Sequence, residues 1–372
     1  MPDVSVKIFD STDSGAPQLS SSEGTLISVL DACLVNGYGT VTINPLVVSG
    51  NVATGTVSAG HGFSMLGSTG PVITIAGATP SALNGEWRIA SVPNSTTFTF
   101  ATSGISDQTA TGTITAKRTP AGWEKAFSGT NKAAYRTASL LGPRAYLRID
   151  DTLSATNARA RGYAGMTDVD TGTDPFPTIA QMGADSAQIG RETYRWFVAA
   201  DDRFLWWGAM PNDSLGLRCS WWGDIVAATG PSDAYACAIN CGNGALSPYI
   251  SSAHIDASQT LGRYLLRGYD QTTKSASFSA LSLYRQSYLG YGSGWPYPAP
   301  GAGGLILAPY WINDGTLRGR LPGVFAPQHN VPGSDGDVVA AVLGTGRDIL
   351  LKAIWTPSGA GRVAFDVTGG WR

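Results

Sequence analysis

The chain has 372 residues, with 25 Lys and Arg against 27 Asp and Glu, a net charge of −2 at pH 7. Only 14% is charged and 43% is hydrophobic, against roughly 25% charged in an ordinary globular domain. This is a folded, low-charge chain without the basic stripe that nucleic-acid binding requires, so no nucleic-acid partner is expected. The 47 Gly and 21 Pro exceed average usage yet stay below the proportions that mark disorder, which fits many turns between short strands.

The start, Met1-Pro2-Asp3-Val4-Ser5-Val6-Lys7, has no charged segment leading into an apolar one, and no run of about 18 apolar residues follows. Neither membrane insertion nor a signal peptide is expected, and synthesis in a cytoplasm follows. Cys33, Cys219, Cys237 and Cys241 are too sparse for a disulfide framework. The length favours more than one domain.

In chain order, Ser21-Ser22-Glu23 reads as a helix start before residues 25–34, where Leu26, Val29, Leu30 and Cys33 recur at helical spacing and Gly37 ends the run. From Ala32 to Gly85 there is no Asp, Glu, Lys or Arg. Short β-branched or aromatic runs begin within this stretch, at residues 46–48, 52–57, 72–75, 87–92, 96–100 and 111–116. Gly, Pro, Asn and Ser clusters separate them, including Asn84-Gly85 and Pro93-Asn94-Ser95. Residues 42–117 therefore read as a small all-β sandwich or barrel. The more charged register resumes at Gly122-Trp123, so these residues read as an insertion at a loop of a body formed by 1–41 and 118–372.

The body reads as mainly β. Residues 144–150 alternate, and residues 194–199 and 203–207 form a strand pair about the turn Ala200-Asp201-Asp202. The doublets Trp206-Trp207 and Trp221-Trp222, if on strands, send one indole to each face of a sheet, so both faces must be covered. Indoles left outside would serve a subunit contact or stack on a glycan. Tyr291, Trp295 and Tyr297 lie in a Gly- and Pro-rich stretch with Trp311 beyond it, too aromatic for a free linker. This stretch either docks on a neighbour or folds back on its own domain.

No catalytic constellation stands out. Asp168-Val169-Asp170-Thr171-Gly172-Thr173-Asp174 offers three carboxylates but no bidentate Glu, so it reads as a side-chain-capped turn before a cation site. His61, His254 and His329 are far apart, and Cys237 and Cys241 match no zinc or redox spacing. Neither a nucleophile elbow nor a phosphate loop is present. No catalytic residue, cofactor or metal is assigned. A carboxylate pair such as Asp150 and Asp170 would be the candidate for glycan hydrolysis.

The runs Phe9-Asp10-Ser11-Thr12-Asp13-Ser14-Gly15-Ala16-Pro17, Val29-Leu30-Asp31-Ala32-Cys33-Leu34-Val35-Asn36-Gly37-Tyr38-Gly39 and Phe127-Ser128-Gly129-Thr130-Asn131-Lys132 resemble virion structural proteins of tailed bacteriophages. The same holds for Leu147-Arg148-Ile149-Asp150-Asp151, Met166-Thr167-Asp168-Val169-Asp170-Thr171-Gly172 and the ending Phe365-Asp366-Val367-Thr368-Gly369-Gly370-Trp371-Arg372. Residues 42–117 separately resemble small β-domains of phage tail and fibre proteins, through Gly60-His61-Gly62-Phe63, Leu83-Asn84-Gly85-Glu86-Trp87 and Thr96-Thr97-Phe98-Thr99-Phe100. The resemblance implies a non-enzymatic virion component of the tail, baseplate or capsid surface, with other virion proteins and its own copies as partners. The alternative is a receptor-binding protein for host-surface glycan. The expected architecture is a β-sandwich-like body with a short N-terminal helix and an inserted small all-β domain.

Overall fold

The structure, a computed structural model, describes residues 4–152, 157–182, 188–190, 195–210, 216–230, 233–241, 262–281, 307–327, 334–340, 347–356 and 359–372. It is mainly β, built from antiparallel sheets with little helix. The central sheet runs in the order Lys7–Asp10, Trp196–Ala200, Phe204–Ala209, Arg218–Asp224, Cys237–Asn240, Arg263–Arg267 and Lys274–Ser277. A front sheet joins Trp123–Gly129, Lys132–Thr137, Tyr146–Asp150, Asn157–Met166 and Gly172–Phe176 in sequential order, with Gln188–Gly190 beside Asn157–Met166. A back sheet runs Ser279–Leu281, Leu307–Asn313, Leu317–Pro327, Gly359–Asp366, Ile349–Thr356 and Val338–Val339.

The central strands read as continuous apolar runs because they are covered on both faces. Every residue of Trp196–Ala200, Phe204–Ala209 and Arg218–Asp224 is buried. Register places Trp206 opposite Trp221 and Leu205 opposite Trp222. Trp206 and Trp221 join the cluster facing the back sheet, with Tyr310, Leu321 and Phe365. Trp207 and Trp222 join the cluster facing the front sheet, with Trp123, Tyr135 and Leu147. The turn that connects the first hairpin closes on Asp201, whose Oδ1 accepts the N–H groups of Arg203 (2.8 Å) and Phe204 (2.6 Å). Asp supplies that acceptor at a turn because its short side chain reaches the backbone two and three residues on.

The helix is shorter than its periodicity indicates. Residues Thr25–Leu30 are α-helical, and Asp31–Asn36 continue as a wider π-helical turn that ends at Gly37, φ 71°. The expected Ser21-Ser22-Glu23 start is not the cap. Gly24 occupies that position with φ 84° and no side-chain hydrogen bond. The first turn is met instead from a distant strand end, where buried Asp151 accepts the Leu26 N–H (3.1 Å), while Glu23 accepts a bond from Asn131 (2.9 Å). Leu26, Val29, Leu30, Cys33 and Leu34 pack into the front cluster as the apolar spacing requires.

Between Tyr38–Ile43 and Ile114–Arg118 the chain forms a separate eight-stranded unit, called the module below. Its ten-residue strand Gly85–Asn94 is shared by two sheets. Its first part pairs with Val72–Ala76 and its second with Thr97–Ala101. The sheets enclose a cluster drawn wholly from the module, with Ile43, Leu46, Ile73, Ile89, Phe98 and Ile114 among its members. Gly55 lies under the Phe98 ring, where a Cβ would meet the ring at 2.7 Å, so only glycine allows that approach. Asn84 holds the turn before the shared strand, accepting from Ala78 N–H and donating to Ala78 C=O, each at 2.9 Å.

Candidate functional site

The aromatics singled out as interface or glycan-stacking candidates fall into three groups. Trp206, Trp207, Trp221 and Trp222 are 0%, 2%, 2% and 3% exposed, so their rings serve packing inside the chain and none faces a sugar. They stack on other rings. Trp123 and Trp222 are 5.2 Å apart between centroids, Trp206 and Phe365 5.3 Å, and Phe204 and Trp221 5.8 Å, within the range of favourable aromatic pairs. Trp311 is half-buried on Leu307–Asn313, opposite Arg320. Tyr291, Trp295 and Tyr297 lie outside the described residues.

The acidic run is tied up in ion pairs and a turn. Asp168 Oδ1 accepts the Asp170 N–H (2.7 Å). Asp170 pairs with Lys132 (2.9 Å) and Arg148 (2.6 Å), and Asp174 with Arg267 (3.1 Å) and Lys274. Hydrogen bonds from Lys132 and Arg148 hold the Asp170 carboxyl below its usual range. Asp150 shares Arg148 with Asp170, at 3.3 Å. Burial pulls the Asp150 carboxyl up, but the Thr152 hydroxyl and Arg148 hold it below its usual value overall. Hydrolysis of a glycosidic bond by a carboxylate pair needs one acid raised and protonated, and here both are depressed on one guanidinium.

His61 is a core residue. Its Nδ1 accepts the Phe63 N–H (2.9 Å), so Nε2 carries the proton and donates to Asn94 C=O (2.9 Å), and the ring stacks on Phe63 and meets Phe98 edge to face. His254 and His329 lie outside the described residues. All four cysteines are buried free thiols. Burial pushes Cys219 and Cys241 up to about 12, which leaves them protonated and inert at neutral pH. Among the described residues no group of three or more His, Cys, Asp or Glu is placed to hold a metal ion.

Two features are invisible to motif reading. The first is a cleft of about 240 Å³ where the module, the edge strand Lys7–Asp10 and the back sheet meet. Lys7 lies 3.9 Å from Glu86, Arg118 pairs with Asp13 (2.5 Å), and Lys352 sits between Asp335 (3.2 Å) and Asp10 (3.8 Å) over the Phe197 ring. Tyr38 also donates to Asp13 (2.6 Å). The module reaches the back sheet a second time, where buried Asp348 accepts the Ser68 N–H (3.1 Å) and hydroxyl. Lys7, Arg118 and Lys352 in this seam thus stand beside Asp10, Asp13, Glu86 and Asp335, and Arg88 adds a fourth cation to the lining.

The second feature is the turn between Lys132–Thr137 and Tyr146–Asp150, where Leu140 and Leu141 are 79% and 78% exposed. Two neighbouring leucines this open are not held out by looseness, because the base of the turn is braced. The Thr137 hydroxyl donates to Asp202 C=O, Ser139 N–H donates to Thr137 Oγ1 (3.0 Å), and Arg144 Nε donates to Thr137 C=O (3.3 Å). Gly142 lies so close to Asp224 and Arg203 that a Cβ would overlap the carboxylate. Glu124 bridges Arg136 (2.5 Å) and Arg144 beside the turn. Burial pulls the Glu124 carboxyl up, and the two guanidinium groups hold it below its usual value overall. The sequence signal was there, since Leu140-Leu141-Gly142-Pro143 puts paired apolar residues in a turn.

Searches against protein-family models and against curated proteins find no match for the chain. Among the described residues no helix is long and apolar enough to cross a membrane.

Proposed function

We propose that the chain is a structural, non-enzymatic component of a tailed-bacteriophage virion, working through contacts with neighbouring virion proteins and with copies of itself on the tail, baseplate or capsid surface. The observation that carries the reading is the braced turn with Leu140 and Leu141 almost fully exposed. In a chain that buries both of its tryptophan doublets, an outward pair of leucines on a preorganised support is suited to sealing against another protein. Covering both contributes about 3–5 kcal/mol of apolar burial, and the support limits the ordering cost of docking. Ion pairs that hold the front sheet together at Asp170 and Glu124, and tie it to the central sheet at Asp174, fit a scaffold better than a reaction centre. The scattered resemblance of runs such as residues 9–17 and 365–372 to phage virion proteins agrees with this.

Gold-conjugated antibody raised against the chain tests it. The expected result is regular labelling of intact particles at tail or head. Unlabelled particles, together with saturable binding of the isolated chain to host-surface polysaccharide, would contradict the reading in favour of glycan recognition.

A further inference from the structure

The edge strand Lys7–Asp10 raises a question about how the central sheet ends. Ser11 N–H donates to Trp196 C=O (3.0 Å), so the odd-numbered residues of the strand face Trp196–Ala200 and the outward groups belong to Val6, Ile8 and Asp10. An edge of this kind is a template for pairing with another chain unless something closes it. Among the described residues no further strand does. Val6 N–H donates to Gly369 C=O (3.2 Å), and Asp10 N–H is taken by the Asp13 carboxylate (3.0 Å). Of the three outward carbonyls, two are met from the module, Val6 C=O by Arg88 Nη2 (3.4 Å) and Ile8 C=O by Arg118 Nη1 (3.2 Å), and Asp10 C=O accepts the Asp13 N–H (2.9 Å).

From this geometry we infer that the module acts as an autoinhibitory cover on the body, with Arg88 and Arg118 as the residues that close the outward edge of the strand Lys7–Asp10. Both side chains are fixed at the far end of the seam. Arg88 Nη1 donates to Gly70 C=O (2.7 Å) and Arg118 pairs with Asp13 (2.5 Å). The module's own cluster holds only residues from 41 to 116, and Tyr38, on its first strand, joins the body cluster against Phe9, 5.9 Å between ring centroids. Away from Tyr38, seating rests on polar contacts, which water replaces when the module lifts. A cover joined in that way opens with the module's own cluster intact, and the edge it uncovers carries Ile8 and is ready for a second strand.

The test is the full-length double variant Arg88→Met with Arg118→Met, which keeps both aliphatic stems and removes the guanidinium groups. Light scattering should show its mass rise about twofold or more over wild type at equal concentration, through pairing at the bared edge. Adding Ile8→Lys, a charge placed on the edge strand, should return the mass to the wild-type value. In that triple variant the amides of residues 4–11 should exchange with solvent about tenfold faster than in wild type. Arg88→Met alone leaves the Arg118–Asp13 pair in place. It is the milder variant if the double one does not fold, and its smaller rise in mass should be reversed by the same lysine. Wild-type mass and wild-type exchange in folded variants would overturn the inference, as would a rise in mass that Ile8→Lys leaves unchanged.

Discussion

The module and the body obey the same packing rules inside and a different one where they meet. Within the module, Phe98, Phe100, Ile73 and Ile89 close an apolar cluster of their own, and within the body the central sheet is sandwiched by two more. At the seam the contacts are mostly polar, among them Arg118 with Asp13, Lys7 with Glu86 and Asp348 with Ser68. The difference teaches that each unit draws its stability from its own interior, while the seam decides orientation and what stays covered. Polar contacts suit that role because their net contribution is small and their geometry specific.

The most severe way to break the comparison is to hollow out one unit and watch the other. Trp222→Ala removes a ring wedged against Trp123 and should cost the body about 3–5 kcal/mol. Denaturation followed by amide exchange should show the peptide covering Thr97–Ala101 protected after the central strands have opened. Phe98→Ala should cost the module a similar amount, about 3–5 kcal/mol, and leave protection at Phe204–Ala209 unchanged. Joint loss of protection in both variants would mean one cooperative unit instead of two.

Cutting the seam is the next smaller effect. Asp348→Ala strips the acceptor from Ser68 and should cost about 1–3 kcal/mol, read as faster exchange around residues 66–70 with both cores intact. Acid sharpens the contrast from the charge side. Asp150, Asp170, Asp174 and Glu124, on or beside the front sheet, have carboxyls held below their usual range. Their contribution is present above the unfolded carboxylate range, about pH 4, and is lost as pH falls below it through the lower folded values. Buried Asp201 and Asp224 are pushed up by burial, and that shift favours the native state as pH drops, with the opposite sign. Three partly exposed carboxylates and buried Asp150, all depressed, against two raised buried acids predict a shallow net loss of body stability below about pH 4, measured by the denaturant midpoint.

Leu140→Ser with Leu141→Ser should be the mildest for folding, within about 0.5 kcal/mol of wild type, because neither side chain is packed. Any concentration-dependent association of the wild-type chain should fall on this substitution. Unaltered association would remove the braced turn from the assembly surface.

The strands were legible where side chains alternate or run apolar without a break. The hairpin about Asp201 and the split of the two tryptophan doublets across the central sheet follow from a period of two residues, and both are present. The helix start was misread because its acceptor, Asp151, lies 125 residues away and no local pattern reports it. The seam was illegible for the same reason. Its walls come from residues near 8, 70, 88, 118 and 350, a set that only the folded topology brings together. Leu140 and Leu141 passed unnoticed because sequence shows hydrophobicity and not exposure.

The most direct measurement for the assembly account is cross-linking mass spectrometry on washed, intact particles. The account predicts intermolecular links from Lys125, on the strand whose Trp123 pairs with Thr137 at the base of the braced turn, to another virion chain or to a second copy of this one. Particles that contain none of this chain, or that yield from it only links within a single copy, would contradict it.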